Sequence, residues 1–280
     1  HKRAALWILS RIGTGPRRSI AGFIICTALL SMWINNTATT MMMMPIGLSV
    51  IETVGKDMDK DERRHFGSAL MLSIAYSASI GGVGTLIGTS PNLQLASYMK
   101  ANFGEGHLPF AQWMLMAVPL VLGLLPVLFW LLTRGVLKVK AFAGNAQSQA
   151  DANEVISEQL RALGPLRAAE IRVALIFGAV ALVWVFRPLL SGIPGLSDEG
   201  IAVTGALLLF LVPESGWSGR KLLEWDALKE MPWGLLLLFG GGLSLAYAIK
   251  ITKLAEWIGA GLSGLAVLPI WLILLIIVAI

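Results

Sequence analysis

Thiols, imidazoles and charge are all scarce in this chain of 280 residues. Cys26 is the single cysteine, which excludes an internal disulfide and any cluster of thiolate metal ligands. The three histidines, His1, His65 and His107, lie too far apart in sequence to outline a zinc site. Only 14% of the residues are charged and 56% are hydrophobic, a balance that excludes a soluble domain. A net charge of +5 raises nucleic acid as a partner. The basic residues instead sit in short loops between apolar runs, where they act as topology determinants, and no nucleic-acid partner is expected. No nucleophile is paired with a base, so an enzyme is not expected. No signal-peptide pattern is present; the chain begins polar and without Met, ends in an apolar run at Ile280, and reads as an internal stretch of a longer protein.

What the chain does have is two apolar segments interrupted by polar residues. Residues 20–50 read IAGFIICTALLSMW, INNT and ATTMMMMPIGLSV, two apolar arms around a polar tip. Each arm is too short to cross a hydrocarbon core of about 30 Å at about 1.5 Å of rise per residue. Between 67 and 98 a second apolar run is split by SIGGVGTLIGTSPN. Interrupted helices with hydroxyl and amide side chains at the break are how membrane proteins place an ion and substrate site at mid-depth.

Along the chain, residues 4–12 predict a short amphipathic interfacial segment, and Gly13 to Arg18 a basic turn. The hairpin covers 19–51 and a charged loop 52–66. Residues 67–80 predict a half-helix, 81–91 an unwound region and 92–100 a second half-helix. Membrane spans are expected at 110–133, 168–187, 199–213 and 231–250. A polar linker at 134–167 holds a short helix near 153–163, ended by Gly164 and Pro165. Residues 253–264 are again amphipathic, and 266–280 are apolar.

Positive charge sets the orientation. Lys56, Lys60, Arg63 and Arg64 fall in one loop, Arg134, Lys138, Lys140, Arg161, Arg167 and Arg172 in another, and Arg220, Lys221 and Lys229 in a third. The alternate loops near 100–109 and 188–198 carry almost none apart from Lys100. Basic loops face the cytoplasm. Arg17 and Arg18 precede the hairpin and Lys56 follows it, so both of its ends are cytoplasmic and the hairpin is expected to be re-entrant. A short internal similarity points the same way: ALWILSRIGTG near the start resembles AEWIGAGLSG near the end, and each precedes an apolar arm. Aligning Trp7 with Trp257 puts a second polar tip just beyond Ile280, in a hairpin of opposite orientation, which is an inverted repeat.

At the tip, carbonyls ending the first arm and the side chains of Ser31, Asn35 and Asn36 offer hard oxygen ligands at the negative end of a helix dipole, suited to a small cation. Amides opening the second arm, near Thr37 to Thr39, point the other way; Asn36 or Thr37 can cap them, and an anion can accept from them. A polar turn at the membrane surface is the alternative, and arm length and charge argue against it. At the second break Gly81, Gly82, Gly84 and Gly88 permit close backbone approach, Thr89 or Ser90 can cap the following half-helix with Pro91 in its first turn, and Asn92 adds an amide. Small-residue helix packing accounts for the Gly84/Gly88 pair but not for the capping residues and Pro that follow.

Other motifs fail on their own chemistry. Asp57, Asp59 and Asp61 imitate the start of a calcium loop, but Glu62 stands where Gly is needed and Ser68 where Glu is needed. The Gly-rich stretch is no dinucleotide fingerprint, because Ile87 replaces the third glycine and no βαβ unit surrounds it. Met41 to Met44 suit gap-filling packing better than a soft-metal path.

At these residues the sequence resembles the divalent anion:sodium symporter family, the dicarboxylate and citrate cotransporters. SMWINNTAT is similar to the first of that family's two Ser-Asn-Thr motifs, IGGVGTLIGTSPN to the broken helix that faces it, and PWGLLLLFGGGLSL at 232–245 to a helix opening of the second repeat. The resemblance implies an all-α polytopic membrane protein of the inner (plasma) membrane, with an inverted repeat, a re-entrant hairpin and broken helices, working as a homodimer by an elevator mechanism. It implies sodium as coupling ion and a small dicarboxylate anion as substrate. Carried over by position, the sodium site would use Ser31, Asn35, Asn36 and Gly88, and the substrate carboxylate would meet Asn36, Thr37 and Thr89. Asn35 departs from the pattern by replacing the motif serine. The first repeat would end at 133, the cytoplasmic linker fill 134–167, and the second repeat open at 168 and be cut before its motif. Sodium-independent dicarboxylate exchange, citrate or sulfate as the anion, and a non-transporting membrane component are the alternatives.

Overall fold

The computed structural model describes residues 2–13, 15–56, 58–103, 109–139, 146–190, 196–214, 220–231 and 233–261. Among these residues the protein is all-α, with no sheet and a single isolated bridge between Pro213 and Lys221. They fall into two compact units, divided between Leu223 and Glu224.

The first unit opens with α1 (Lys2–Ile12), whose Ala5, Leu6 and Leu9 are buried while Trp7 is exposed, as the amphipathic pattern predicts. Two helices form the hairpin: α2 (Pro16–Ser31) and α3 (Asn36–Val54). At about 1.5 Å per residue α2 is about 24 Å long, short of a hydrocarbon core. Next come α4 (Lys60–Val83) and α5 (Ser90–Phe103), separated by the second break. α6 (Phe110–Trp130) runs on as a π-helical stretch, Leu131–Val136, and α7 (Ala146–Ala162) follows. α8 (Ala168–Phe186) and α9 (Asp198–Leu211) complete the unit.

Several boundaries differ from the sequence expectation. The region at 52–66 is not one loop: α3 continues to Val54 and α4 starts at Lys60. Asp61 and Glu62 lie in the first turn of α4, where negative charge suits the helix dipole, so the charged residues open a helix rather than interrupt it. The unwound region is 84–89, shorter than the predicted 81–91, because Gly81 and Gly82 stay helical. The linker helix begins at Ala146 rather than near 153 and, as predicted, stops before Gly164, whose φ is +67°. The segment expected to span at 199–213 is the 14-residue α9, about 21 Å long and short of a crossing. Three helical stretches are long and apolar enough to cross a membrane among the described residues: Lys60–Val83, Phe110–Val136 and Ala168–Leu190.

Packing explains why the hairpin stays together. One buried cluster joins Leu6 and Leu9 of α1, Phe23 and Ile24 of α2, Met43 and Val50 of α3, and Phe66 and Ile74 of α4. α4 lies along α2, and the contact is close enough that a Cβ on Gly81 would collide with the Ala28 backbone. Serines on the buried face of α4 turn inward on their own helix: Ser73 donates to the Leu70 carbonyl at 2.7 Å. Hydroxyls satisfied in this way can face an apolar neighbour.

The linker is not a free tether. α7 packs on α1 and α3, and its Ile156 is buried in the same cluster. The Arg3 guanidinium donates to the carbonyls of Leu163 (3.0 Å) and Gly164 (2.8 Å) and pairs with Glu170 at 3.2 Å. Arg17 donates to Val139 at the other end of the linker, at 2.7 Å.

The second unit, considered by itself, holds a 3-10 turn (Trp225–Glu230), α10 (Trp233–Ile251) and α11 (Leu254–Gly261). Lys253, at φ 57°, makes the turn between the two helices. The apolar run at 266–280 lies outside the described residues.

Gly81→Ala should destabilise the protein by about 1–3 kcal/mol, because the backbone it meets cannot move aside as a side-chain tip could. Gly178→Ala, in α8 with nothing near the added carbon, should be neutral or mildly stabilising. Thermal unfolding of the detergent-solubilised variants separates the two.

Candidate functional site

Both helix interruptions come to one place. The last turn of α2 closes on itself, with the Met32 amide donating to Ala28 at 3.1 Å and the amides of Trp33 and Ile34 to Leu30 at 3.0 Å. Four residues later α3 begins, and Asn35 is its cap: its side-chain oxygen accepts from the Ala38 amide at 2.8 Å. The sequence offered Asn36 or Thr37 for that role; the chain uses Asn35 because its extended backbone (φ −57°, ψ 151°) is the one that precedes the first helical turn. Asn36 is thereby free to do something else. Its Oδ1 accepts from the Ser31 hydroxyl at 2.7 Å, across the tip.

The second break folds under this tip. Gly88 packs so closely that a Cβ there would meet the carbonyl oxygens of Gly82 and of Ser31, the latter at 2.9 Å. A Cβ on Gly82 would run into the Asn36 amide oxygen. Only glycine admits a neighbour's polar atoms this near its backbone. Thr85 is fully buried and donates its hydroxyl to the Met32 carbonyl, the backbone group left over at the end of α2. The same oxygen accepts from the Gly88 amide at 3.2 Å. Asn92 reaches back from the first turn of α5 and donates to Gly82 (2.9 Å) and Thr85 (2.7 Å) carbonyls. From α6, the Trp113 indole donates to the Val83 carbonyl at 2.8 Å and so covers the end of α4.

The residues named from sequence therefore separate by position. Ser31, Asn36 and Gly88 converge, with Ser31 and Gly88 buried and Asn36 half-buried. Thr37 is exposed on the opening of α3, and Thr89 is half-buried just ahead of α5. Asn35 is exposed and its oxygen is engaged by α3. Thr85 and Trp113 were not singled out by sequence. Thr85 carries a faint signal as a β-branched hydroxyl between Gly84 and Gly88; Trp113 carries none, being an aromatic residue near the start of an apolar run.

An aromatic cluster flanks the tip. Trp33 meets Phe177 of α8 edge-on with centroids 5.1 Å apart, and Phe110 stacks on Trp184 at 4.8 Å. Asp198, at the start of α9, pairs with Arg187 at 3.0 Å and accepts from the Phe110 amide at 3.3 Å.

Chemically the junction is neutral: its polar groups are hydroxyls, amides and backbone carbonyls, whose oxygens have the hard-donor character that suits a small cation. No group of three or more His, Cys, Asp or Glu side chains that could hold a metal ion occurs among the described residues.

A helical, multi-pass membrane protein with two interrupted segments that meet at a neutral, oxygen-rich junction fits the architecture of a solute carrier. The chain matches the citrate transporter family over residues 1–280 and belongs to it. It is similar to the sodium-dependent dicarboxylate transporter SdcS of Staphylococcus saprophyticus, 36% identical over 286 residues, covering 99% of this chain and 54% of that protein. The transporter of the same name from Staphylococcus aureus is 35% identical over 284 residues, covering 98% of this chain and 54% of the relative. The chain thus spans about half the length of the curated relatives it matches. It is a multi-pass integral protein of the plasma membrane.

Asn35→Ala should cost about 1 kcal/mol of stability through loss of the α3 cap, and Asn35→Ser should recover most of it. Thermal melting of the two variants side by side checks the assignment; equal melting would remove it.

Proposed function

We propose that the protein is a secondary active transporter that couples sodium to the uptake of C4-dicarboxylate-type anions, moving them by an elevator motion of the hairpin and broken-helix body. The observation that carries this reading is the junction of Ser31, Asn36 and Gly88 at the meeting of the two breaks. The relatives' function, sodium-dependent dicarboxylate transport, and the match to their sequences support it.

Asn36 is the coupling residue in this reading. A primary amide has two chemically opposite ends. Its oxygen already faces the Ser31 hydroxyl, and a sodium ion would sit between those oxygens with carbonyl help from the Ser31–Gly88 contact. The amide nitrogen is then free to donate to a substrate carboxylate, with Thr37 and Thr89 on the more open side completing the contact. Asn35 belongs to the proposed sodium set by position; its amide oxygen accepts the Ala38 bond with one lone pair and would offer the other to the ion.

Order of binding follows from charge. A dianion among neutral groups and helix N-termini gains little against its lost hydration until a cation is present. Sodium binding first would hold the tip and create the anion pocket. The hairpin is taken as re-entrant because basic residues flank both of its ends and α2 is short. A first repeat ending at 133, a linker at 134–167, a second inverted repeat from 168 and a homodimer belong to the same proposal and rest on the family resemblance.

A second reading, sodium-independent dicarboxylate exchange, rests on one departure: Asn35, a larger side chain that caps α3, stands where the resembling motif has serine. Labelled succinate uptake by the full-length protein in liposomes decides between them, with inward sodium or choline, and with Asn36→Ala beside wild type. Sodium-driven uptake reduced at least about a hundredfold by Asn36→Ala, as loss of a ligand shared by ion and substrate should produce, supports symport. Uptake indifferent to sodium but driven by internal dicarboxylate supports exchange. Absence of uptake for succinate, citrate and sulfate alike overturns both.

A further inference from the structure

We propose that Thr85 and Asn92 are positioning residues for the cation half of the site, setting its sodium affinity without touching ion or substrate. The proposal rests on the symport reading and adds two residues that lie outside the sodium and substrate sets carried over from the family resemblance.

Their hydrogen bonds show what they do. Thr85 makes two bonds through one oxygen: it donates to Met32 on the hairpin and accepts from Gly88 on the broken helix. The two segments are 53 residues apart in sequence, and this hydroxyl joins the end of one to the turn of the other. Asn92 donates both amide hydrogens to backbone, one to Gly82 before the break and one to Thr85 within it. The Thr85 hydroxyl hydrogen and both Asn92 amide hydrogens are spent on backbone carbonyls, so neither side chain is left to donate to a substrate carboxylate. Thr85 is fully buried and Asn92 is 6% exposed, so water does not substitute for either.

What they hold is the geometry the ion needs. Gly82 and Gly88 are the residues pressed against the Asn36 oxygen and the Ser31 carbonyl. Asn92 fixes the carbonyl of the first, and Thr85 fixes the amide of the second. Thr85 also fixes the Met32 carbonyl next to Ser31. Loss of either side chain leaves buried carbonyls unpaired, which favours rotation of those peptide groups toward any donor they can find. Oxygen ligands for a small cation tolerate little displacement, so the cation site should suffer before the more open anion side does.

The test is the sodium dependence of labelled succinate uptake by the full-length protein in liposomes. Thr85→Val keeps the shape and removes the hydroxyl. It should raise the sodium concentration for half-maximal uptake about tenfold, the effect of losing one buried hydrogen bond. The maximal rate and the succinate KM at saturating sodium should stay within about twofold of wild type, a split that general destabilisation would not produce. Thr85→Ser, which restores the hydroxyl, should recover sodium affinity, and Asn92→Ala should reproduce the Thr85→Val effect. Combining Thr85→Val with Ser31→Ala should be less damaging than the product of the two single effects, because both act on one site. Unchanged sodium dependence in Thr85→Val, failure of Thr85→Ser to rescue, or fully multiplicative effects would each overturn the proposal. If Thr85→Val does not fold, Asn92→Ala and Thr85→Ser decide by the same readouts. Wild-type uptake that ignores sodium removes the symport reading and this inference with it, whereas sodium-driven wild-type uptake with unaltered variants removes the inference alone.

Discussion

A backbone group that loses its helical partner cannot be left bare in hydrocarbon, and the two breaks in this chain create several such groups at once. The structure answers by placing each break against the other. The orphan Met32 carbonyl at the end of α2 is met by Thr85 of the second break, and the orphan Gly82 carbonyl of α4 is met by Asn92 beyond it. Each segment thus completes the hydrogen bonding of its neighbour. Glycine is required where they touch, since a Cβ at 81, 82 or 88 would strike backbone or amide atoms.

The mutual dependence has a consequence for function. A junction built from neutral hydroxyls, amides and carbonyls carries no fixed charge, so an ion bound there would set its electrostatics. In the proposed symport, coupling would then need no distant relay. Asn36 lies at the junction with its oxygen toward Ser31, and an amide can face a cation with one end and an anion with the other. The hairpin is packed into a larger body: α1, α2, α3, α4 and α7 share one buried cluster, and Arg3 and Arg17 hold both ends of the linker to it.

Much of this was legible in the residues. Scarce charge and long apolar runs predicted a polytopic helical protein, and INNT and SIGGVGTLIGTSPN predicted two interruptions. The differences are local. Glycine permits a break and so predicts unwinding at Gly81 and Gly82, yet both remain helical where they pack against Ala28 and Asn36. The charged residues after Val54 predict a loop to 66, yet Lys60 opens a helix whose acidic first turn suits the dipole. Asn35 rather than Asn36 or Thr37 became the cap, a choice made by one backbone angle that composition does not reveal.

The sequence by itself determined the class of protein, the solvent it folds in and the positions of its breaks, because hydropathy, glycine and capping residues act through local rules. It also marked Ser31, Asn36 and Gly88 by motif. Only the tertiary structure decided that the two breaks meet at one place, that Asn36 faces Ser31 while Asn35 faces its own helix, and that Thr85 links the two segments. The reason is physical: those contacts join residues that lie far apart along the chain, and they exist only because buried polar groups must find partners wherever the packed helices bring one within reach.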